Sequence, residues 1–145
     1  MNEFKIQLLD NLQYDTYCRI GISKIHGIGV IAIKNIPKGV NPFAITGNKC
    51  LQYNCIEISE KDIQKLSPPI KKMVSDFLAS HKRNFCVPYN GFNSIDISFY
   101  MNHSINNNIN LIRIPQCQFM QFRTNRNINA GEELVINYNH FNINN

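Results

Sequence analysis

The chain has 145 residues, 43% of them hydrophobic and 17% charged, with a formal net charge of +5. That length suits a single domain able to fold without a disulfide or metal, and no apolar run approaches the roughly 18 residues of a membrane span. The early Glu3 and Lys5 argue against a secretory leader. The odd number and scatter of Cys18, Cys50, Cys55, Cys86 and Cys117 fit reduced intracellular thiols better than a disulfide framework.

Residues 17–22, 28–33 and 40–46 are short and rich in Ile and Val, so they read as strands, with a Pro-Gly turn at 34–39 between the last two. Gly27-Ile28-Gly29 lacks the full dinucleotide fingerprint and by itself indicates a tight turn into the second strand. The period changes over 59–80. Ser59 can cap a short helix that Ser67-Pro68-Pro69 interrupts, and a second helix starts with Ser67 as cap and Pro68 at its first position. Ile70, Met73, Val74, Phe77 and Leu78 then form one apolar face, best read as core-facing rather than as a partner groove. Residues 93–104 start as a helical turn and end in a loop, and 106–110 is an Asn-rich loop. Strands return at 85–88, 111–114, 117–123 and 133–136. Two strand-rich halves around a helical insert predict an α+β domain, mostly β.

Taken singly, the chemistry-bearing residues decide little. Cys50, Cys55, His81 and Cys86 repeat a spacing that a zinc site can use, but tighter pairs are the usual signature and unrelated side chains are the favoured reading. Asn102-His103-Ser104 matches a glycosylation acceptor, which would require secretion. A positive charge of this size permits nucleic-acid contact, but there is no aromatic-basic platform to support it.

Taken in order, they form a pattern. Lys24-Ile25-His26-Gly27-Ile28-Gly29-Val30-Ile31-Ala32 followed by Ile36-Pro37-Lys38-Gly39, then Tyr100-Met101-Asn102-His103-Ser104, then Ile128-Asn129-Ala130-Gly131-Glu132-Glu133-Leu134-Val135-Ile136-Asn137-Tyr138 resemble the three motifs of the SET domain of protein-lysine methyltransferases. The resemblance covers residues 17–139 and is nearest to the minimal viral or bacterial-type members without flanking zinc clusters. Where the family usually carries Cys and then Pro-Asn after the central motif, this chain has Ile105, Asn107 and Asn108, keeping only the Asn. Ile136 and Asn137 replace the aromatic residue and Asp that often precede the final tyrosine.

The resemblance implies one domain over 1–145 with its core at 17–139, a helical insert at about 59–80 and a short tail at 139–145. It implies several short sheets and a knot-like carboxy-terminal segment. It further implies methyl transfer from S-adenosylmethionine to a lysine of a protein, a histone tail or another, with an inactive peptide-binding module as the alternative. By motif, Tyr138 would be the catalytic tyrosine. Gly27, Ile28, Gly29, Asn102 and His103 would hold the cofactor, His103 through its backbone, and Ile136, Tyr100 and Phe141 would line the lysine channel. No metal, membrane or nucleic acid is implied. An Ile at 136 cannot hydrogen-bond a water, so di- or trimethyl products are within reach. With so short a tail, residues after Asn139 or a second subunit in a homodimer are expected to complete the site.

Overall fold

The computed structural model describes residues 2–44, 55–113 and 121–142. Among the described residues, nine strands form two sheets. The larger contains β1 (Cys18–Ile22), β2 (Ile28–Ala32), β6 (Asn102–His103), β7 (Ile109–Ile112), β8 (Gln121–Thr124) and β9 (Glu133–Ile136), in the order β1-β2-β9-β7-β8 with β6 also paired to β9. The smaller is β3 (Cys55–Ser59), β5 (Asn84–Pro88) and β4 (Ser80–His81), in the order β3-β5-β4. This is the mostly β, α+β architecture that the alternation of elements predicts.

β9 decides the topology. It pairs antiparallel with β2, Val30 opposite Leu134, and parallel with β6 and β7 through Asn102–Val135, His103–Ile136 and Ile109–Ile136. The last strand is thus inserted between segments that precede it, the knot-like crossing of the carboxy-terminal segment. Such a crossing interrupts the regular ladder, and Asn108 fills the gap. Its side chain is 2% exposed; its amide nitrogen donates to the Glu133 carbonyl at 2.8 Å and its Oδ1 accepts from the Val135 N–H at 2.8 Å. A side-chain amide carries the same donor and acceptor as a peptide unit, so it substitutes for a missing strand neighbour.

The main core lies against this sheet and contains Val30, Ile36, Met101, Ile109, Ile128, Leu134 and Ile136. Full burial contributes about 1.5–3 kcal/mol for each large aliphatic side chain. Cys18 belongs to the same cluster, and burial pushes its thiol up to about 12, which makes it inert as a nucleophile.

The insert has its own small core. Ser59 caps α2 (Glu60–Ile63) by accepting from the Asp62 N–H, and α3 (Pro68–Phe77) begins on two prolines. Val74 and Leu78 from the expected apolar face join Ile63 in a cluster rimmed by Ile58, Phe77, Phe85, Val87, Phe92 and Phe99, whereas Ile70 stays exposed. The core-facing reading of this stripe is therefore correct at Val74 and Leu78.

Three local expectations need correction. The first half is not strand alone: α1 (Glu3–Asp10) precedes β1, its Asn2 side chain accepting from the Phe4 N–H, and it buries no residue. The described part of 40–46 is a turn, because Asn41 Oδ1 accepts from the Phe43 N–H and Pro42 lacks a ladder donor. The rest of that segment, and 114–120, lie outside the described residues. Cys86 is disulfide-bonded, so its thiol is not reduced; spatial proximity, which spacing along a chain does not report, decides such pairing. A sulfur in a disulfide is not a thiolate ligand, and no cluster of metal-ligating side chains occurs among the described residues. Cys50 and Cys117 lie outside them. No helix among the described residues is long and apolar enough to cross a membrane.

Candidate active site

Three segments far apart in sequence meet around β9 of the large sheet. The first is the loop from Ser23 to Gly29, between β1 and β2. Gly27 sits at φ +54, a left-handed conformation that side chains disfavour. Gly29 is required for a different reason: a Cβ there would collide with the Glu133 carboxylate and come within 3.1 Å of Asn102 Nδ2. The two glycines expected at a ligand-approaching turn thus have separate jobs.

The second segment is β6. Asn102 Nδ2 donates to Glu133 Oε1 at 2.8 Å, Ser23 Oγ at 3.0 Å, the Ile28 carbonyl at 3.0 Å and the His26 carbonyl at 3.2 Å. Ser23 Oγ donates to the Glu133 carboxylate at 2.8 and 2.9 Å and accepts from the Ile25 and His26 N–H groups. The Ser23 N–H closes the loop on the Gly27 carbonyl at 3.0 Å. The structure therefore brings Gly27, Ile28, Gly29 and Asn102 together, as the motif resemblance implies. It adds Ser23 and Glu133, which the sequence reading did not single out. Glu132 is the carboxylate that serves the turn, accepting from Asn129 N–H and Arg126, and these partners hold it below the usual carboxylate range. The signal that could have separated the two is the strand boundary: Glu133 opens β9, whereas Glu132 still belongs to the preceding turn.

The third segment carries Tyr138. Its hydroxyl donates to the Met101 carbonyl at 2.6 Å, and its backbone N–H donates to His103 Nδ1 at 3.0 Å. The His103 and Tyr138 rings lie 5.2 Å apart, and Phe141 stands 6.3 Å beyond the tyrosine. His103 thus holds the tyrosine through its side chain, while its backbone pairs with Ile136. The Nδ1 must be unprotonated to accept, which leaves the proton on Nε2. Burial raises the Tyr138 phenol, so it stays protonated at neutral pH.

The three residues expected in a lysine channel all belong to or pack against the main core. Phe141 lies beside Tyr138 and packs on the main core. Tyr100 meets Phe77 of the insert edge-on at 5.6 Å. Ile136 is 2% exposed within the core. The tail beyond Asn142 lies outside the described residues.

A strand-inserted crossing with a glycine turn, an Asn-His strand and a pinned tyrosine is the SET architecture. A family model for the SET domain matches residues 27–139, and the chain belongs to the SET-domain family. Among solved structures it is similar to a candidate histone methyltransferase of Plasmodium falciparum, at 21% identity and a TM-score of 0.52, covering 86% of this chain and 95% of that one. It is also similar to a humanized mutant of the Chaetomium thermophilum Polycomb Repressive Complex 2 bound to the inhibitor GSK126, at 22% identity and a TM-score of 0.55. There the match covers 88% of this chain but 15% of the other. At such identities the likeness is one of fold. No curated protein matches the sequence.

Proposed function

We propose that this protein transfers methyl groups from S-adenosylmethionine to a lysine side chain of a protein, a histone being one substrate class consistent with its structural relatives. The observation that carries the reading is the double anchoring of Tyr138 by Met101 and His103, directly beside the loop tied down by Asn102.

The residues present fit the cofactor. The carbonyls of His26, Gly27 and Ile28 accept bonds from within the protein, from Asn102 and Ser23. Asn102 engages through its amide nitrogen, and its Oδ1 remains an acceptor suited to an ammonium. When bound, the cofactor supplies an electrophilic sulfonium methyl.

The protein's own work is alignment and proton management. Tyr138 donates its hydroxyl hydrogen bond to the Met101 carbonyl, so its oxygen presents lone pairs to developing positive charge. With its pKa raised, the phenol is not a base at neutral pH. The lysine, ordinarily near ~10.4, must instead lose its proton to water before attack, helped by burial and by the neighbouring sulfonium charge. Positioning supplies most of the acceleration. Ile136 offers no hydrogen bond to a water near the amine, which supports more than one round of transfer.

The test is label transfer from S-adenosylmethionine into mixed proteins, comparing the wild type with Tyr138→Phe. We expect the variant to bind cofactor and lose activity by about 100-fold, the scale of one lost transition-state contact. Equal labelling by both proteins would remove Tyr138 from this role. Absence of both labelling and a cofactor-induced thermal shift in the wild type would favour the inactive module.

A further inference from the structure

We propose that Glu133, acting through Ser23 and Asn102, is the positioning residue that sets the shape of the 23–29 loop for cofactor binding, without touching the cofactor itself. The inference rests on the methyltransferase reading above and extends it to a residue outside the carried-over site.

Glu133 joins all three motifs at one point. Its backbone belongs to β9, paired opposite Ile31 of β2. Its carboxylate reaches across β2 to Ser23, 110 residues earlier, and to Asn102, 31 residues earlier. A surface-turn glutamate would do neither. The carboxylate is an acceptor only, and that polarity orders its neighbours. Ser23 has one hydroxyl proton, and Glu133 takes it. The Ser23 oxygen must then accept, which it does from the N–H groups of Ile25 and His26. Asn102 must likewise turn its NH2 inward, because a carbonyl oxygen facing the carboxylate would be repelled. Its two protons are shared among Glu133, Ser23, His26 and Ile28.

The consequences run outward. With the Asn102 nitrogen inside, its oxygen is the atom left over for a cofactor. With the His26 and Ile28 carbonyls turned in toward Asn102, they are held within the protein. The acceptor-only charge of Glu133 therefore fixes the donor and acceptor pattern that the loop presents. Gly29 is part of the same device, since its missing Cβ is what lets the carboxylate pass.

The experiment measures S-adenosylmethionine affinity by calorimetry, with cofactor KM and kcat, on the full chain and on Glu133→Gln, Ser23→Ala and Ser23→Thr. A Gln at 133 brings an NH2 that competes with the inward Asn102 amide. We expect Glu133→Gln and Ser23→Ala each to raise the cofactor Kd and KM by about tenfold, the loss of one charge-assisted hydrogen bond. At saturating cofactor, kcat should stay within about threefold, and Ser23→Thr should restore affinity because it keeps the hydroxyl. The double variant should be no worse than either single one, since both break one linked unit. A brace with no positioning role would lower thermal stability and kcat while leaving the Kd unchanged, and that result overturns the proposal. If Glu133→Gln does not fold, the Ser23→Ala affinity decides alone, an unchanged Kd again counting against it. Failure of the wild type to bind the cofactor would instead overturn the methyltransferase reading, and this inference with it.

Discussion

The large sheet and the insert solve the same packing problem by different means. The insert buries Ile63, Val74 and Leu78, while its ion pairs, Lys65–Asp62, Lys72–Asp76 and Arg83–Glu60, stay on the surface. The large sheet buries polar side chains as well: Asn108, Gln121 and Thr124 are each at most 2% exposed. Thr124 Oγ1 donates to the Pro37 carbonyl at 2.7 Å and accepts from the Val40 N–H at 3.0 Å, doing for a loop what Asn108 does for β9. The difference follows from topology. A hairpin sheet satisfies its own backbone, but a strand threaded between earlier segments leaves gaps that only side chains can fill. The buried Asn108 amide marks where the chain crosses itself, and the candidate site lies beside it on β9.

The sharpest way to break the contrast is Asn108→Ala. It leaves the Glu133 carbonyl and the Val135 N–H buried and unpaired, and it should cost about 3 kcal/mol of unfolding free energy in urea. Because β9 carries both Glu133 and Ile136, cofactor affinity should fall with stability.

Val74→Ala tests the other side. Losing two methyl equivalents from the small core should cost about 2 kcal/mol, including the residual cavity. Cofactor affinity at a temperature where the variant is folded should stay at the wild-type value. A matching loss of affinity would show that the insert shapes the site as closely as the crossing does. Two visible routes for that are the Phe77–Tyr100 ring contact and the packing of β4 against residues 138–142.

A smaller effect is a pH slope confined to the main core. Cys18 is held at about 12 in the folded protein against an ordinary thiol value of 9.0. Its folded pKa is raised, so its contribution is complete below the unfolded value and is lost as pH climbs toward the folded one. Stability should therefore fall by about 1.4 kcal/mol per pH unit between roughly pH 10 and 11 from this group. Tyr138, also raised by burial, adds to the decline at the upper end of that range. In Cys18→Ala the slope, read from urea midpoints across the range, should be shallower by about that amount. An unchanged slope would mean that the thiol is not the group responsible.

The amino-acid sequence by itself determined the elements with strong local patterns. Short runs rich in Ile and Val marked β1 and β2, the strands expected at 85–88 and 133–136 match β5 and β9, and the serine cap and apolar face marked α2 and α3. The motif order marked Gly27, Asn102, His103 and Tyr138 as one site. It did not reveal β3, although Ile56 and Ile58 alternate with polar neighbours, because a helix start at Ser59 dominated the window. Nor did it reveal α1, whose apolar side chains are exposed and so form no buried stripe to read. Only the tertiary structure decided that β9 threads between β2 and β6, that Asn108 completes its ladder, and that Glu133 rather than Glu132 reaches the glycine loop. It also showed that the His103 ring accepts from the Tyr138 N–H and that Ile136 lies within the core. The physical reason is range. Caps, turns and periodicity act over a few residues, whereas a carboxylate 110 residues from its hydroxyl partner can be matched to it only after the chain has crossed itself.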